Sequence, residues 1–267
     1  MPRIASSLLV VALLFMPLSG CKELVNQFAF YPNQTYEKKL PPEVQERLFT
    51  TSDEVQLSSL YLPTIGSDTL LIYFHGNAGN IYHRIPTLLH LQKTGVSVLG
   101  VSYRGYGKSA GEPSEEGLYL DGQAALNFAV NDLGLDERNI IIFGRSIGST
   151  VAVDLAQHKN LLGTILVTPL KSGEEQAETM GLGLLTPLVG DAFNNFDKID
   201  KLASPLLIIH GTNDKVVPFS SGKDLFDKAT VNKTFVRIEG GKHNDLPSKY
   251  SQEYWQPIFE FVANLTE

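Results

Sequence analysis

The sequence contains very little cysteine: Cys21 is the single one among 267 residues. A lone cysteine excludes an internal disulfide and leaves no set of thiolates for a metal site. The 22 lysines and arginines are scattered along the chain, and without a basic stripe we expect no nucleic-acid partner. No phosphate-binding loop, dinucleotide fingerprint or metal-ligand cluster is present either, so the sequence implies no cofactor and no metal.

Apolar runs long enough to cross a membrane are also missing. Residues 4–16 form an apolar run that Ser6 and Ser7 interrupt, and it falls short of the roughly 20 residues that a membrane span needs. Arg3 precedes this run, and the small residues Ser19 and Gly20 follow it. A positive start, an apolar run and small residues in this order are typical of a secretory signal.

Residues 18–21, Leu-Ser-Gly-Cys, resemble the lipobox of bacterial lipoproteins. The resemblance implies a signal peptide over residues 1–20, a lipid on Cys21 and a place in the bacterial cell envelope. Lys22 stands where aspartate would favour the inner membrane, so the resemblance favours the periplasmic face of the outer membrane. An ordinary cleaved signal with an incidental thiol, or an uncleaved anchor, fits the same residues.

The rest of the chain divides into a short leader and one domain. Prolines among polar residues predict a tether over residues 21–45, and residues 46–267 are long enough for a single domain. Within the domain, short apolar runs alternate with stretches of helical spacing, which predicts a mostly parallel sheet with helices on both faces. The predicted strands cover residues 55–62, 70–74, 96–101, 140–143, 164–167, 206–209 and 234–238, and the predicted helices cover 115–133, 149–158, 220–229 and 250–264.

Residues 144–148, Gly-Arg-Ser-Ile-Gly, lie between a predicted strand and a predicted helix. A strand–turn–helix setting is what a nucleophile elbow requires, because the serine must project from a sharp turn. We therefore predict that Ser146 is a catalytic nucleophile, and we interpret Arg145 as a structural or rim residue. A serine nucleophile needs a histidine base, a carboxylate that holds the histidine, and two N–H donors for the oxyanion.

With these motifs the chain resembles the α/β-hydrolase superfamily of serine hydrolases over residues 50–265. The segment 210–218, His-Gly-Thr-Asn-Asp-Lys-Val-Val-Pro, is similar to the superfamily's acid loop, which implies that Asp214 is the triad acid. The order serine, acid, histidine then points to His243, in a glycine-flanked loop, as the base. The segment 75–80 resembles the superfamily's His-Gly loop, which implies that the backbone N–H groups of Asn77 and Ile147 form the oxyanion hole.

Other histidines and carboxylates are weaker candidates. His83, His90 and His158 lie in stretches of helical spacing, and we interpret His210 as a buried strand-end residue. Asp245 is an alternative partner for the histidine, although capping of a helix is the favoured interpretation.

The substrate class follows only from the resemblance. The loops are most similar to a small-lid group that includes membrane-associated acyl-protein thioesterases and lipid esterases. We therefore expect hydrolysis of a small-molecule acyl ester or thioester at a membrane, with a short helical lid over about 170–204 that either packs structurally or binds substrate. A prolyl-type exopeptidase and a catalytically silent binding lipoprotein are the alternatives. The sequence leaves the oligomeric state open.

Overall fold

A computed structural model describes residues 25–36 and 39–266 of the chain. An eight-stranded sheet runs through its centre, in the order β10-β9-β8-β7-β4-β6-β3-β2. Six neighbouring strands, β10 to β6 in that order, are parallel, while β3 and β2 are antiparallel. The strands are β2 (Gln45–Thr50), β3 (Gln56–Leu62), β4 (Leu70–Phe74), β6 (Ser97–Val101), β7 (Ile140–Arg145), β8 (Gly163–Val167), β9 (Leu206–Gly211) and β10 (Lys233–Ile238).

Helices cover both faces of this sheet, which confirms the predicted fold class. Because side chains alternate along a strand, Ile140 and Ile142 of β7 join one core while Ile141 and Phe143 join the other. The central strands β4, β6, β7, β8 and β9 are mostly apolar because both of their faces are buried. The α-helices are Ile85–Gln92, Glu115–Asn127, Gly148–Ala156, Gly173–Thr179, Thr186–Val189, Phe219–Lys228, Leu246–Lys249 and Ser251–Thr266, and a π-helical turn, Phe128–Asp132, follows the second of them.

The long connection between β8 and β9 carries short helices instead of one long element. These are Gly173–Thr179, the 3₁₀ turn Gly183–Leu185, Thr186–Val189 and the 3₁₀ turn Ile199–Lys201. We call residues 173–189 the cap. Ser172 caps the first of its helices by accepting a hydrogen bond from the Glu175 N–H.

The N-terminal part differs from the predicted tether over residues 21–45. Residues 25–29 are helical, and the short strand β1 (Tyr31–Pro32) pairs in parallel with β5 (Ala78–Gly79) of the domain. Phe30 is buried and stacks edge-on against Phe193. The described residues of this stretch therefore pack on the domain, because an aromatic side chain and a row of backbone hydrogen bonds fix them there. Cys21 and the predicted signal peptide lie outside the described residues.

The strand β2 was not among the predicted strands. Its sequence, Gln-Glu-Arg-Leu-Phe-Thr, is mostly polar, because β2 lies at the edge of the sheet and is partly exposed.

No helix within residues 25–36 or 39–266 combines the length and apolar character that a bilayer crossing requires.

Candidate active site

Ser146 sits in a strained turn between β7 and the helix Gly148–Ala156. Its φ angle is +54°, in the left-handed region that costs a non-glycine residue about 1 kcal/mol or more. The Ser146 N–H donates to the Val167 carbonyl at 2.9 Å, and its carbonyl accepts the Ser149 N–H at 2.9 Å. These two hydrogen bonds stabilise the turn at the carboxyl edge of the sheet.

Glycine is required at both flanks of this turn, and a Cβ at Gly144 would lie 2.5 Å from the Gly148 carbonyl oxygen. A side chain at Gly148 would place its Cβ 2.3 Å from the carbonyl oxygen of Phe74 and 2.7 Å from that of His75. Both oxygens belong to the backbone and cannot move aside easily. The helix that follows Ser146 can therefore approach the end of β4 only because residue 148 lacks a side chain.

The structure brings Ser146, His243 and Asp214 into one hydrogen-bonded row, although they lie on three separate loops. His243 Nε2 is 3.1 Å from Ser146 Oγ, and His243 Nδ1 is 2.7 Å from Asp214 Oδ2. The carboxylate can only accept, so Nδ1 carries the proton and Nε2 is free to take one from the serine. All three side chains are buried. The arrangement can activate a serine hydroxyl for attack on a carbonyl carbon.

The Asp214 carboxylate is held in its ionised form by several donors. Its Oδ1 accepts the N–H groups of Val216 at 2.8 Å and Val217 at 2.9 Å. Burial favours the neutral acid, but the hydrogen bonds from His210 and His243 outweigh it and hold the pKa of Asp214 well below its usual range. The carboxylate therefore stays charged opposite His243 at neutral pH.

His210 is a buried neighbour of the acid and makes no contact with Ser146 among the described residues. Its Nε2 donates to the Val217 carbonyl at 3.1 Å and lies 3.5 Å from Asp214 Oδ2. The residue thus supports the loop that carries the acid. Asp245 accepts the Lys242 N–H at 2.7 Å, while its side chain makes no capping bond to the following helix. It stabilises the turn around His243 instead of capping that helix.

Arg145 has a contact that the sequence did not reveal. Its Nη2 donates to the backbone carbonyl of His243 at 2.9 Å and to Asn244 Oδ1 at 2.8 Å. These partners are 98 and 99 residues away in the chain. The residue before Ser146 therefore connects this turn to the loop that carries His243.

Asn77 and Ile147 line the same cavity as Ser146, and their backbone N–H groups are the predicted oxyanion donors. Neither donates to a backbone or side-chain acceptor within the described residues, so both are available to an oxyanion. The backbone of Asn77 is held in place by two hydrogen bonds to its carbonyl, one from the Tyr31 N–H at 3.1 Å and one from the Tyr106 hydroxyl at 2.7 Å. Fixed donors of this kind stabilise negative charge without reorganising during the reaction.

His75 supports the same loop as a neutral side chain. Its Nδ1 donates to the Gly76 carbonyl at 2.7 Å, and its ring lies 4.4 Å from that of Tyr103. Burial is the largest influence and lowers the pKa of His75 to about 3. Tyr103 in turn donates its hydroxyl to the His75 carbonyl at 2.9 Å.

The loop over residues 102–109 is held in shape by the side chains of two serines. Ser102 Oγ donates to the Tyr106 carbonyl at 3.0 Å, and Ser109 Oγ donates to the Ser102 carbonyl at 2.8 Å. Two serine hydroxyls therefore close this loop, which keeps Tyr106 in place against Asn77.

A cavity of about 340 Å³ opens beside Ser146. Its walls are mostly apolar. They come from residues 25–36, which we call the N-terminal segment, from the connection between β8 and β9 that contains the cap, and from the loop after Asp214. The apolar lining includes Val25, Ala29, Leu170, Ala177, Leu182, Leu185, Leu188, Val189, Phe193 and Val217. An apolar pocket with a few polar groups at one end suits an acyl chain with a reactive carbonyl. Within the described part of the chain, no three histidine, cysteine, aspartate or glutamate side chains are grouped so as to hold a metal ion.

The contribution of the N-terminal segment to this cavity was missed at the sequence level. Val25, Phe28 and Ala29 all line it. They stand at positions i, i+3 and i+4, the spacing of one helical face, and this signal within the predicted tether could have been used.

Comparison with known proteins shows which family the chain is similar to. A family model described as the alpha/beta hydrolase fold matches residues 69–186. The chain is 37% identical over 194 residues to human alpha/beta hydrolase domain-containing protein 17B, an alignment that covers 72% of this chain and 66% of that protein. It is 36% identical over 198 residues to protein 17B of Xenopus tropicalis, covering 73% and 68% of the two chains. The chain thus spans slightly less than two thirds of the length of the human relative.

Among solved structures, an esterase of Pyrococcus furiosus, Pf2001, superposes with a TM-score of 0.74. The match covers 88% of this chain and 98% of that one at 20% identity, so it bears on the fold alone.

Proposed function

The chain belongs to the α/β-hydrolase family, and from this premise we propose that it is a serine hydrolase of acyl esters or thioesters. The observation that carries the proposal is the row from Asp214 through His243 to Ser146, with distances of 2.7 and 3.1 Å, at the end of an apolar cavity. The family supports a hydrolase. The row supplies the nucleophile and base, and the cavity favours an acyl group as the part of the substrate that is bound.

The reaction proceeds in two halves. Ser146 Oγ attacks the acyl carbonyl while His243 Nε2 accepts the hydroxyl proton, and the N–H groups of Asn77 and Ile147 bind the oxyanion. Collapse of the tetrahedral intermediate breaks the bond to the alcohol or thiol, which leaves with the proton from His243. Water then gives a proton to His243 and attacks the acyl-enzyme, and Ser146 regains its proton as the carboxylic acid departs.

The test is turnover of p-nitrophenyl acyl esters and of acyl thioesters by the native protein and by Ser146→Ala. We expect the variant to lose at least about 10³-fold in kcat, since nucleophile and base act as one unit. Ser220→Ala, an exposed serine on the helix Phe219–Lys228, is the matched control and keeps native turnover. Unchanged turnover in Ser146→Ala would refute the proposal.

A fluorophosphonate probe separates this function from the alternatives of the sequence. Labelling of the peptide that contains Ser146 is expected in the native protein and absent in Ser146→Ala. A folded protein that remains unlabelled would favour a silent binding lipoprotein. Faster cleavage of aminoacyl amides than of acyl esters would favour an exopeptidase.

The proposed location is the bacterial envelope, with the enzyme anchored through a lipid on Cys21 at the periplasmic face of the outer membrane. Support comes from the lipobox-like residues 18–21 directly after an apolar run. Several acyl chains on one residue give stable anchoring, because each buried CH₂ contributes about 0.8 kcal/mol. Cys21→Ala is expected to move the protein from the membrane fraction to the soluble fraction. A native protein found wholly in the soluble fraction would contradict the location.

A further inference from the structure

Exposed apolar side chains are concentrated around one opening of the molecule. Among the described residues, five of the eight exposed large hydrophobic side chains surround the cavity beside Ser146. We call them the mouth patch: Phe28, Tyr31, Met180, Leu184 and Val216. Four of them line the cavity, and Leu184 lies between the lining residues Leu182 and Leu185 with 97% of its surface exposed.

The mouth patch is assembled by the fold. Phe28 and Tyr31 come from the N-terminal segment, Met180 and Leu184 from the cap, and Val216 from the loop after Asp214. Single exposed apolar residues are ordinary, whereas a group of them around one opening marks an interaction surface. The three segments meet only in the folded chain, so the surface exists only next to a formed active site.

The position of Cys21 indicates what covers this surface. Cys21 and Val25 are four residues apart, a separation that a chain cannot stretch beyond about 14 Å. Val25 lines the cavity. A lipid on Cys21 therefore keeps the opening within about 14 Å of the bilayer that holds the lipid.

We infer that the mouth patch docks into the headgroup–acyl boundary of a lipid bilayer and lets a membrane-borne acyl chain enter the cavity without crossing water. This rests on the proposed function and on the proposed lipid at Cys21. The formal net charge of −7 disfavours a strongly anionic surface, so docking depends on apolar insertion and zwitterionic lipid is the fitting partner. Lys215 is exposed at the same opening and can approach a headgroup phosphate.

The experiment compares the full, anchored chain with two single variants on two substrates. One substrate is a long-chain acyl ester embedded in phosphatidylcholine vesicles, and the other is a short-chain soluble ester. Leu184→Glu places a charge in the mouth patch outside the cavity wall. Ile65→Glu is the matched control, because Ile65 is fully exposed and precedes β4, at the edge of the sheet opposite Ser146.

We expect Leu184→Glu to lower turnover of the vesicle-borne ester about tenfold, because the variant loses the binding free energy of one leucine side chain buried in the bilayer. Turnover of the soluble ester stays unchanged. Ile65→Glu leaves both unchanged. Equal losses on both substrates would overturn docking in favour of direct substrate contact, and equal vesicle turnover in all three proteins would overturn it outright. If the native protein showed no Ser146-dependent turnover of either ester, the proposed function itself would be refuted.

A second measurement reports the position directly. An environment-sensitive dye on Leu184→Cys is expected to shift to the blue when phosphatidylcholine vesicles are added, while the same dye on Ile65→Cys does not. Identical spectra at the two positions would overturn the inference. Leu184→Cys carries one free thiol when Cys21 is lipidated and two when it is not, so a failure of the anchor is recognised separately.

Discussion

In the proposed reaction Ser146, His243 and Asp214 supply the reactive groups. The distances between these groups also depend on Arg145, which takes no part in the chemistry. Arg145 precedes the nucleophile and donates to the His243 carbonyl and to Asn244. The loop of His243 otherwise depends on its own turn, which Asp245 closes at Lys242. We therefore assign Arg145 the role of a positioning residue for the base.

Replacing this arginine tests that role. Arg145→Met is expected to lower kcat by about tenfold to a hundredfold with little change in KM, because a small displacement of the histidine loop lengthens the distance from Nε2 to Ser146 Oγ. Arg145→Lys keeps one donor and is expected to recover part of the loss. Arg138→Met, an exposed arginine paired with Asp136, is the control with native kcat. A loss of thermal stability with native kcat in Arg145→Met would show a purely structural role.

His75, in the loop that carries Asn77, makes the free energy of unfolding of the protein depend on pH. Its pKa is about 3 in the folded protein and about 6.5 when exposed. Between these values the unfolded chain binds a proton that the folded chain does not. The free energy of unfolding therefore falls as the pH falls from about 6.5 towards 3, by up to roughly 1.4 kcal/mol per pH unit from this residue.

Urea unfolding at several values of pH from 4 to 7 measures this dependence. In His75→Gln the slope of the free energy of unfolding against pH is expected to be smaller than in the native protein, whatever the overall stability of the variant. His83→Gln, at an exposed histidine close by, is the matched control. Parallel curves for the native protein and His75→Gln would contradict the assignment.

At the scale of elements, the N-terminal segment is a structural part of the domain. Phe30 is buried next to Phe193 of the cap connection, and β1 pairs with β5 beside the oxyanion loop. A flexible tether would contribute nothing to stability. Phe30→Ala is expected to lower the free energy of unfolding by about 3 kcal/mol, because a buried aromatic side chain leaves a cavity.

Chemical denaturation of Phe30→Ala beside Phe28→Ala measures this contribution. Phe28 is partly exposed at the mouth patch, so its removal is expected to cost much less. If the two variants were equally stable and close to the native protein, the packing of this segment would contribute little.

The same elements show how far the sequence could be interpreted. The central strands and the loops of Ser146, Asp214 and His243 were recognisable, because runs buried on both faces are continuously apolar and the motifs stand at strand ends. The role of the N-terminal segment was missed: Val25, Phe28 and Ala29 have the spacing of one helical face, but only the folded structure shows the cavity that this face lines. The contact of Arg145 with a loop 98 residues later leaves no local pattern at all.

At the scale of the whole molecule, the proposed anchor and the proposed catalytic residues lie in separate parts of the chain. The triad and the oxyanion donors all belong to residues 77–243, while the proposed lipid is on Cys21. Anchoring through the proposed lipid is therefore expected to change where the protein meets its substrate and to leave the chemistry unchanged. Cys21→Ser is expected to keep the kcat of the native protein on a soluble ester and to lose about 10²-fold in turnover of a vesicle-borne ester, since tethering raises the effective concentration of enzyme at the surface.

Both assays on equal amounts of purified protein check this split, and the ratio of the two rates is the quantity compared. Leu184→Glu in the anchored chain lowers the same ratio by less, because the lipid still holds the enzyme at the bilayer. The double variant is expected to show the lowest ratio, with the soluble rate again unchanged. A parallel fall of both rates in Cys21→Ser would mean that residue 21 affects the folded domain itself, and the separation of anchor and chemistry would be wrong.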